Sequence, residues 1–295
     1  TVPLISIYLL GGVNNTIASV NQSNPDFLNM FTHRDGTEIS LISIISLAAW
    51  GLGYFGQPHI LARFMAIRSS HQIRRARTIA MIWVVISLFC AVAVGIIGFI
   101  YLDQPLQGPD IETVFMVLVN HLFHPLLAGL LLAAILAAIM STADSQLLVT
   151  SSALSEDFYR VLLRKNASDK ELVWVSRLSV IGIAVIAFII ALNPQANVLN
   201  LVAYAWAGFG AAFGPLILLS LFWKRMTYRG ALAGIIIGGL TVLIWKQLQG
   251  GIFDMYEIVP GFLFSAVAII GLSLLDKAPS QEIIEEFMKV GNSNI

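Results

Sequence analysis

The run AAIMSTADSQLLVTSS, residues 137–152, places oxygen-bearing side chains inside an otherwise apolar stretch. Ser141 and Ser145 are four apart and Thr142 and Ser145 three apart, so on a helix their hydroxyls share a face, with Asp144 on a neighbouring one. Hard cations take oxygen ligands, and hydroxyls together with backbone carbonyls supply part of such a shell. The competing use is as helix glue, in which small polar side chains bond their own i−4 carbonyls and let helices approach closely. An acid within a span is a functional-site hypothesis by default, yet Asp144 lies nineteen residues beyond Pro125, near the expected end of its span.

A second run, LISIISLAAWGLGYFGQPHIL at 41–61, packs Gly51, Gly53, Gly56 and Pro58 close behind Trp50. Glycine costs about 1 kcal/mol and proline about 3 kcal/mol in a helix interior, so a helix here is expected to loosen or break. Unpaired backbone is prohibitive in hydrocarbon, and a break is tolerated only where it lines a polar cavity or is buried in protein. Trp50, Tyr54 and Pro58 are spaced four apart and fall on one face if the helix persists. An interfacial aromatic belt with glycines for packing is the alternative. Trp50 is the tenth residue of the segment, near mid-depth, where a belt residue does not belong.

Other candidates carry less. His121 and His124 lie one turn apart but flank Pro125 at a segment edge with no third ligand in view, which fits an interfacial role better than a metal. YAWAGFGAAFGP at 204–215 reads as close helix packing, and Lys246 as a side chain that snorkels outward. Cys90 is the only cysteine, which excludes an intrachain disulfide. No nucleophile elbow, phosphate loop or HExxH is present.

The elements that must position these residues follow from composition. Of 295 residues, 57% are hydrophobic and 12% charged, with a mean hydropathy of +0.82. An ordinary soluble domain carries about 25% charged residues, so the chain must meet lipid over most of its area. A bilayer core about 30 Å thick needs about 20 apolar residues per helix. Eight segments qualify, near 1–20, 41–61, 79–102, 125–149, 172–193, 197–223, 229–249 and 257–276.

Charge then sorts the loops. One set carries Arg63, Arg68, Arg74, Arg75, Arg77, Arg160, Arg164, Lys165, Lys170, Arg177, Lys224, Arg225, Arg229, Lys277 and Lys289, fifteen of the seventeen basic residues. The opposite set has Arg34, with Lys246 at a nearby helix end. The positive-inside rule makes the first set cytoplasmic, and the C-terminal tail with it. Formal net charge is zero, so no field recruits nucleic acid, and no obligate protein partner is called for.

The outer loop 103–124 has room for a short helix from Pro109 to His121 lying over the membrane surface. SEDFYRVLLRKNASDKE at 155–171 is expected to be an amphipathic helix opening on Ser155, and the polar tail to fray. The expected organisation is a transmembrane domain over 1–276 and a cytoplasmic tail over 277–295. Thr1 opens inside an apolar stretch without a leader pattern, so the chain is expected to be an internal fragment whose beginning is missing.

At these residues the chain resembles the sodium/solute symporter family, and within it the bacterial proline-carrying branch. The resemblance rests on WGLGYFGQPHILARFMA at 50–66, ILAAIMSTADSQLL at 135–148, KELVWVSR at 170–177, YAWAGFGAAFGP at 204–215 and GALAGIIIGGLTVLIWKQ at 230–247. It implies an all-α polytopic membrane protein with part of the LeuT-type inverted-repeat fold, in which a midplane site alternates between outward and inward access. Span 1–20 then corresponds to the last helix of the first repeat and 41–223 to the second, with most of the first repeat absent.

The resemblance also implies roles. Trp50, Tyr54 and Pro58 match substrate-binding positions on the family's discontinuous helix. Ala138, through its carbonyl, and Ser141 and Thr142, through their hydroxyls, match its sodium site; Ser145 and Asp144 occupy a stretch that forms a second cation site in some relatives. The function implied is symport of Na+ with L-proline across a bacterial inner membrane. The alternatives are the same fold carrying pantothenate or a short carboxylate, and a transporter-like sensor. An intramembrane enzyme using Asp144 or the histidine pair lacks a second acid or a further metal ligand.

Overall fold

The computed structural model describes residues 2–23, 25–33, 36–102, 104, 106–192 and 197–292. The expected outer basic residue Arg34, and 194–196 of the expected outer turn, lie outside the described residues. Twelve α-helices follow in order among the described residues: α1 Val2–Leu9, α2 Val13–Ser23, α3 Leu41–Ala48, α4 Pro58–Met65, α5 His71–Tyr101, α6 Val114–Leu122, α7 Pro125–Ser152, α8 Asp169–Ala191, α9 Val198–Phe222, α10 Tyr228–Trp245, α11 Ile258–Leu275 and α12 Gln281–Asn292. The protein is an all-α polytopic membrane protein.

Six of the eight expected segments are single helices long and apolar enough to cross a bilayer, namely α5, α7, α8, α9, α10 and α11. The other two are interrupted. In the first, α1 and α2 bend by 80° at Gly11 and Gly12, whose φ angles of 85° and 96° belong to the left-handed region that glycine tolerates. In the second, α3 gives way to a 3₁₀ stretch, Ala49–Gly56, and then to α4.

The chain folds as two compact units. The first takes in residues 1–36 and 77–197. Its core is built from Val2, Val94, Ile97, Leu118, Val119 and Ala128. The helix expected to lie over the surface is a 3₁₀ turn, Gly108–Thr113, leading into α6, and Leu118 and Val119 of α6 are wholly buried. VFMVLV has no polar face to leave in water, so it packs into the unit.

The amphipathic helix expected to open on Ser155 has no separate start. α7 runs on into a π-helical stretch, Ala153–Leu163, and the Ser155 hydroxyl donates to the Ser152 carbonyl at 3.3 Å. The true break is at Arg164, and Ser168 caps α8 by accepting the Glu171 N–H at 3.3 Å. Glu171 then clasps the hairpin, accepting from Tyr159 Oη at 2.6 Å and from Arg164 Nη1 at 2.7 Å.

The second unit comprises residues 37–76 and 198–295, with α9, α10 and α11 packed together. Small residues make this possible. Gly230, Gly234 and Gly238 recur every four residues on α10 and receive Ser273, Ile269 and Ser265 of α11, while Gly238 also meets the Ala211 carbonyl of α9. Between membrane helices such residues let backbones approach closely and gain dispersion contacts. At one end of the seam Arg225 Nη2 donates to the Asp276 carbonyl at 2.7 Å, and Thr227 N–H to Ser273 Oγ at 3.1 Å. The tail, expected to fray, forms α12 over Gln281–Asn292.

Candidate functional site

The interruption at Ala49–Gly56 is where the second unit gathers its aromatic side chains. The glycines that weaken the α-helix also seat the segment on α9. A Cβ on Gly53 would collide with the Trp206 indole, one on Gly56 with the Phe209 carbonyl, and one on Gly210 would come within 2.8 Å of Gly53 Cα. Backbone therefore lies directly on backbone at Gly53 and Gly56, which are buried against α9, while Gly51, Tyr54 and Phe55 of the same break are exposed.

Two cross-links fasten that contact. Trp206 Nε1 donates to the Trp50 carbonyl at 2.9 Å, and the Gln57 side-chain amide donates to the Trp206 carbonyl at 3.3 Å. The rings follow the backbone. Trp50 stacks with Trp206 at 5.9 Å and 17°, and with Tyr256 at 5.9 Å and 19°. Tyr54 meets Trp206 edge-on at 4.9 Å and remains 51% exposed. Tyr256 is itself held at both ends, its N–H donating to Ser46 Oγ at 2.9 Å and its hydroxyl to the Ala203 carbonyl at 2.7 Å. Burial first, and then the Glu257 carboxylate, raises the Tyr256 phenol above its ordinary range, so it stays a neutral donor.

The helix needed to put Trp50, Tyr54 and Pro58 on one face does not persist. In a 3₁₀ stretch side chains three apart eclipse, and those four apart do not. Trp50 and Tyr54 are brought together through Trp206 instead. Pro58 starts α4 at its first position, where its missing N–H costs nothing.

Lys246 does not simply reach outward. Its ammonium lies 3.6 Å from the Glu257 carboxylate and 5.9 Å from the centre of the Tyr204 ring. Glu257 is only 7% exposed and makes no hydrogen bond through Oε1, so Lys246 is its charge partner.

In the first unit, Ala138, Ser141, Thr142 and Ser145 form one stripe along α7, at steps of three, one and three residues. Thr142 Oγ1 donates to the Ala138 carbonyl at 3.3 Å and Ser145 Oγ to the Ser141 carbonyl at 2.9 Å. Both are the i−4 back-bonds of the packing use, and they also leave the Thr142 and Ser145 hydroxyls beside carbonyl oxygens. Oxygens about 3.3 Å apart match one edge of the shell around a cation held at about 2.3–2.6 Å, and a hydroxyl can turn its proton away to offer a lone pair. The residues present fit a hard cation. Asp144 is exposed beside this stripe. His124 caps α7, its Nδ1 accepting the Leu126 N–H at 3.5 Å, and among the described residues no group of three His, Cys, Asp or Glu could hold a metal.

Sequence reasoning missed Trp206, Tyr256 and Gln57. Trp206 sits in a glycine-rich run that reads as packing, and Tyr256 at a span end where belt aromatics are ordinary. Only their convergence on Trp50 distinguishes them.

Residues 1–238 match the sodium:solute symporter family. The chain is 50% identical over 288 residues to the high-affinity proline transporter PutP of Bacillus subtilis, covering 97% of this chain and 59% of that protein. It is 51% identical over 290 residues to the sodium/proline symporter of Escherichia coli, covering 97% and 56%. Against the sodium/proline symporter of Staphylococcus aureus it is 45% identical over 299 residues, covering 98% and 57%. The chain thus spans 56–59% of the length of these relatives. With four-fifths of its residues matched and the relatives similar from end to end of the chain, it belongs to the sodium:solute symporter family.

Proposed function

We propose that this chain is part of a carrier, not an enzyme, that takes up L-proline coupled to sodium, with the missing first repeat supplying the rest of the site. The observation that carries the reading is the interrupted segment at Ala49–Gly56, with Trp50 held by Trp206 and Tyr256, in a chain half identical to proteins named sodium/proline symporters. Trp50, Tyr54 and Pro58 bind the imino acid. Aromatic walls suit its apolar pyrrolidine ring, and backbone groups at the break receive its charged ends.

Sodium is the coupling ion, bound by the Ala138 carbonyl and the Ser141 and Thr142 hydroxyls, with Ser145 and Asp144 offering a second cation position. Coupling requires that both ligands favour a common state, since a ligand with equal affinity for two states shifts nothing. Sodium binding favours the outward-open state, the solute then closes it, and the pair leaves inward by alternating access of a LeuT-type fold. The transporter domain covers 1–276 and the tail 277–295. Fifteen of seventeen basic residues on one set of loops support a cytoplasmic C-terminus in a bacterial inner membrane.

The test is uptake of labelled proline by vesicles carrying the protein expressed from its full gene, with and without an inward sodium gradient. Gradient-dependent uptake, competed by proline but not by pantothenate or short carboxylates, is expected. Uptake indifferent to sodium would overturn the reading.

A further inference from the structure

We propose that residues 63–77 form a docking surface for the headgroups of anionic phospholipids. The stretch from 39 to 102 contains no Asp or Glu, yet it holds Arg63, Arg68, Arg74, Arg75 and Arg77. Elsewhere several basic residues pair with carboxylates: Arg160 with Glu156, Arg164 with Glu171 and Arg229 with Asp276. In 63–77 the sequence itself supplies no counter-charge.

Depth points to the headgroups. α5 has 31 residues, while about 20 span the hydrocarbon, and its uninterrupted apolar part begins only at Ile79. The turns bearing Arg74, Arg75 and Arg77 therefore lie at the level of the phosphates. Arg68, Arg75 and Arg77 are exposed, and so are Phe64 (59%) and Met65 (84%) at the end of α4. Apolar side chains beside arginines are the composition of an interfacial segment.

Residue type separates this from a mere topology signal. The positive-inside rule is satisfied equally by lysine. All six lysines of the chain lie outside this segment, and all five of its basic residues are arginine. Arginine's planar fork grips a phosphate through two parallel hydrogen bonds, which an ammonium cannot do.

The experiment places a fluorophore on Ser70→Cys in a Cys90→Ala background and reconstitutes the protein in phosphatidylcholine with about 30% phosphatidylglycerol. Nitroxide quencher is carried on the upper acyl chain of one lipid or the other. Stronger quenching through phosphatidylglycerol is expected, at about fivefold local enrichment per arginine engaged. Arg68→Gln, Arg75→Gln and Arg77→Gln together should remove most of the preference, leaving only what Arg63 and Arg74 sustain. Since neutral variants can disturb insertion, the unsubstituted arginines in about 1 M salt give the same test, and the preference should collapse. Equal quenching by both lipids at low salt, or a preference undiminished by the triple substitution, overturns the proposal. Neither readout depends on transport, so this proposal and the proline reading fail separately.

Discussion

Trp206 grips Trp50 twice, donating its indole N–H to the Trp50 carbonyl at 2.9 Å while the two rings stack 5.9 Å apart. The carbonyl lies in a 3₁₀ stretch, and the indole N–H ties it from outside that stretch to α9. Trp206→Phe keeps a ring but removes the donor. The loss costs about 1–2 kcal/mol. Initial-rate uptake should show the proline KM rising roughly five- to thirtyfold with kcat little changed. A KM equal to that of the unsubstituted protein would sever Trp206 from the substrate site.

The glycines around this contact differ in what a methyl group would meet. At Gly56 it strikes the Phe209 backbone carbonyl, which cannot step aside, whereas at Gly51 nothing lies within 4 Å. Gly56→Ala is expected to destabilise by about 1–3 kcal/mol and Gly51→Ala by much less. Thermal unfolding in detergent measures both, and similar melting points for the two variants would contradict the seating of this segment on α9.

Ser141→Ala with Thr142→Ala should raise the sodium concentration for half-maximal uptake at least about tenfold, the loss of one or two oxygen ligands worth about 1.4 kcal/mol or more. Thr142→Ser, which keeps the hydroxyl beside the Ala138 carbonyl, should stay close to the unsubstituted protein. Cys90→Ala serves as the comparison. If it weakens sodium dependence as much as the double variant does, the hydroxyls are packing groups.

Lys246 is the charge partner of a buried acid. Lys246→Met should cost about 3 kcal/mol by leaving the buried Glu257 side chain without its charge partner, and adding Glu257→Gln should recover most of that loss. Melting temperatures of the two singles and the double form the cycle. Additive losses would show that the two charges do not interact.

Ser265 is wholly buried on the α10–α11 seam, and its hydroxyl has no hydrogen-bond partner among the described residues. Removing an unsatisfied buried group of nearly the same shape is neutral or stabilising, by up to about 1 kcal/mol. Ser265→Ala should therefore melt at or above the unsubstituted temperature. A clear drop would reveal a partner for the hydroxyl.

Most of the fold was legible because bilayer physics writes itself into sequence. Six helices stand where the apolar runs fall, and the glycines with Pro58 marked the interruption behind Trp50. Boundaries governed by local hydrogen bonding were harder to read. Ser155 has the chemistry of an N-cap, but the chain behind it was already helical, and Ser168, four residues past the real break, took that role.

That Ser141, Thr142 and Ser145 share a face is determined by spacing alone, because a helix fixes which side chains lie together, whereas Ala138, whose carbonyl leaves no trace in its side chain, joins them only through the family resemblance. The aromatic cluster was not determinable in this way. Trp50, Trp206 and Tyr256 are separated by 156 and 50 residues, and each taken singly has an ordinary use in a membrane helix. What joins them is the close approach permitted by Gly53, Gly56 and Gly210, a property of two backbones meeting. Periodicity within one helix is local and survives in the sequence. Contact between helices depends on what each finds opposite it, and only the tertiary structure decides that.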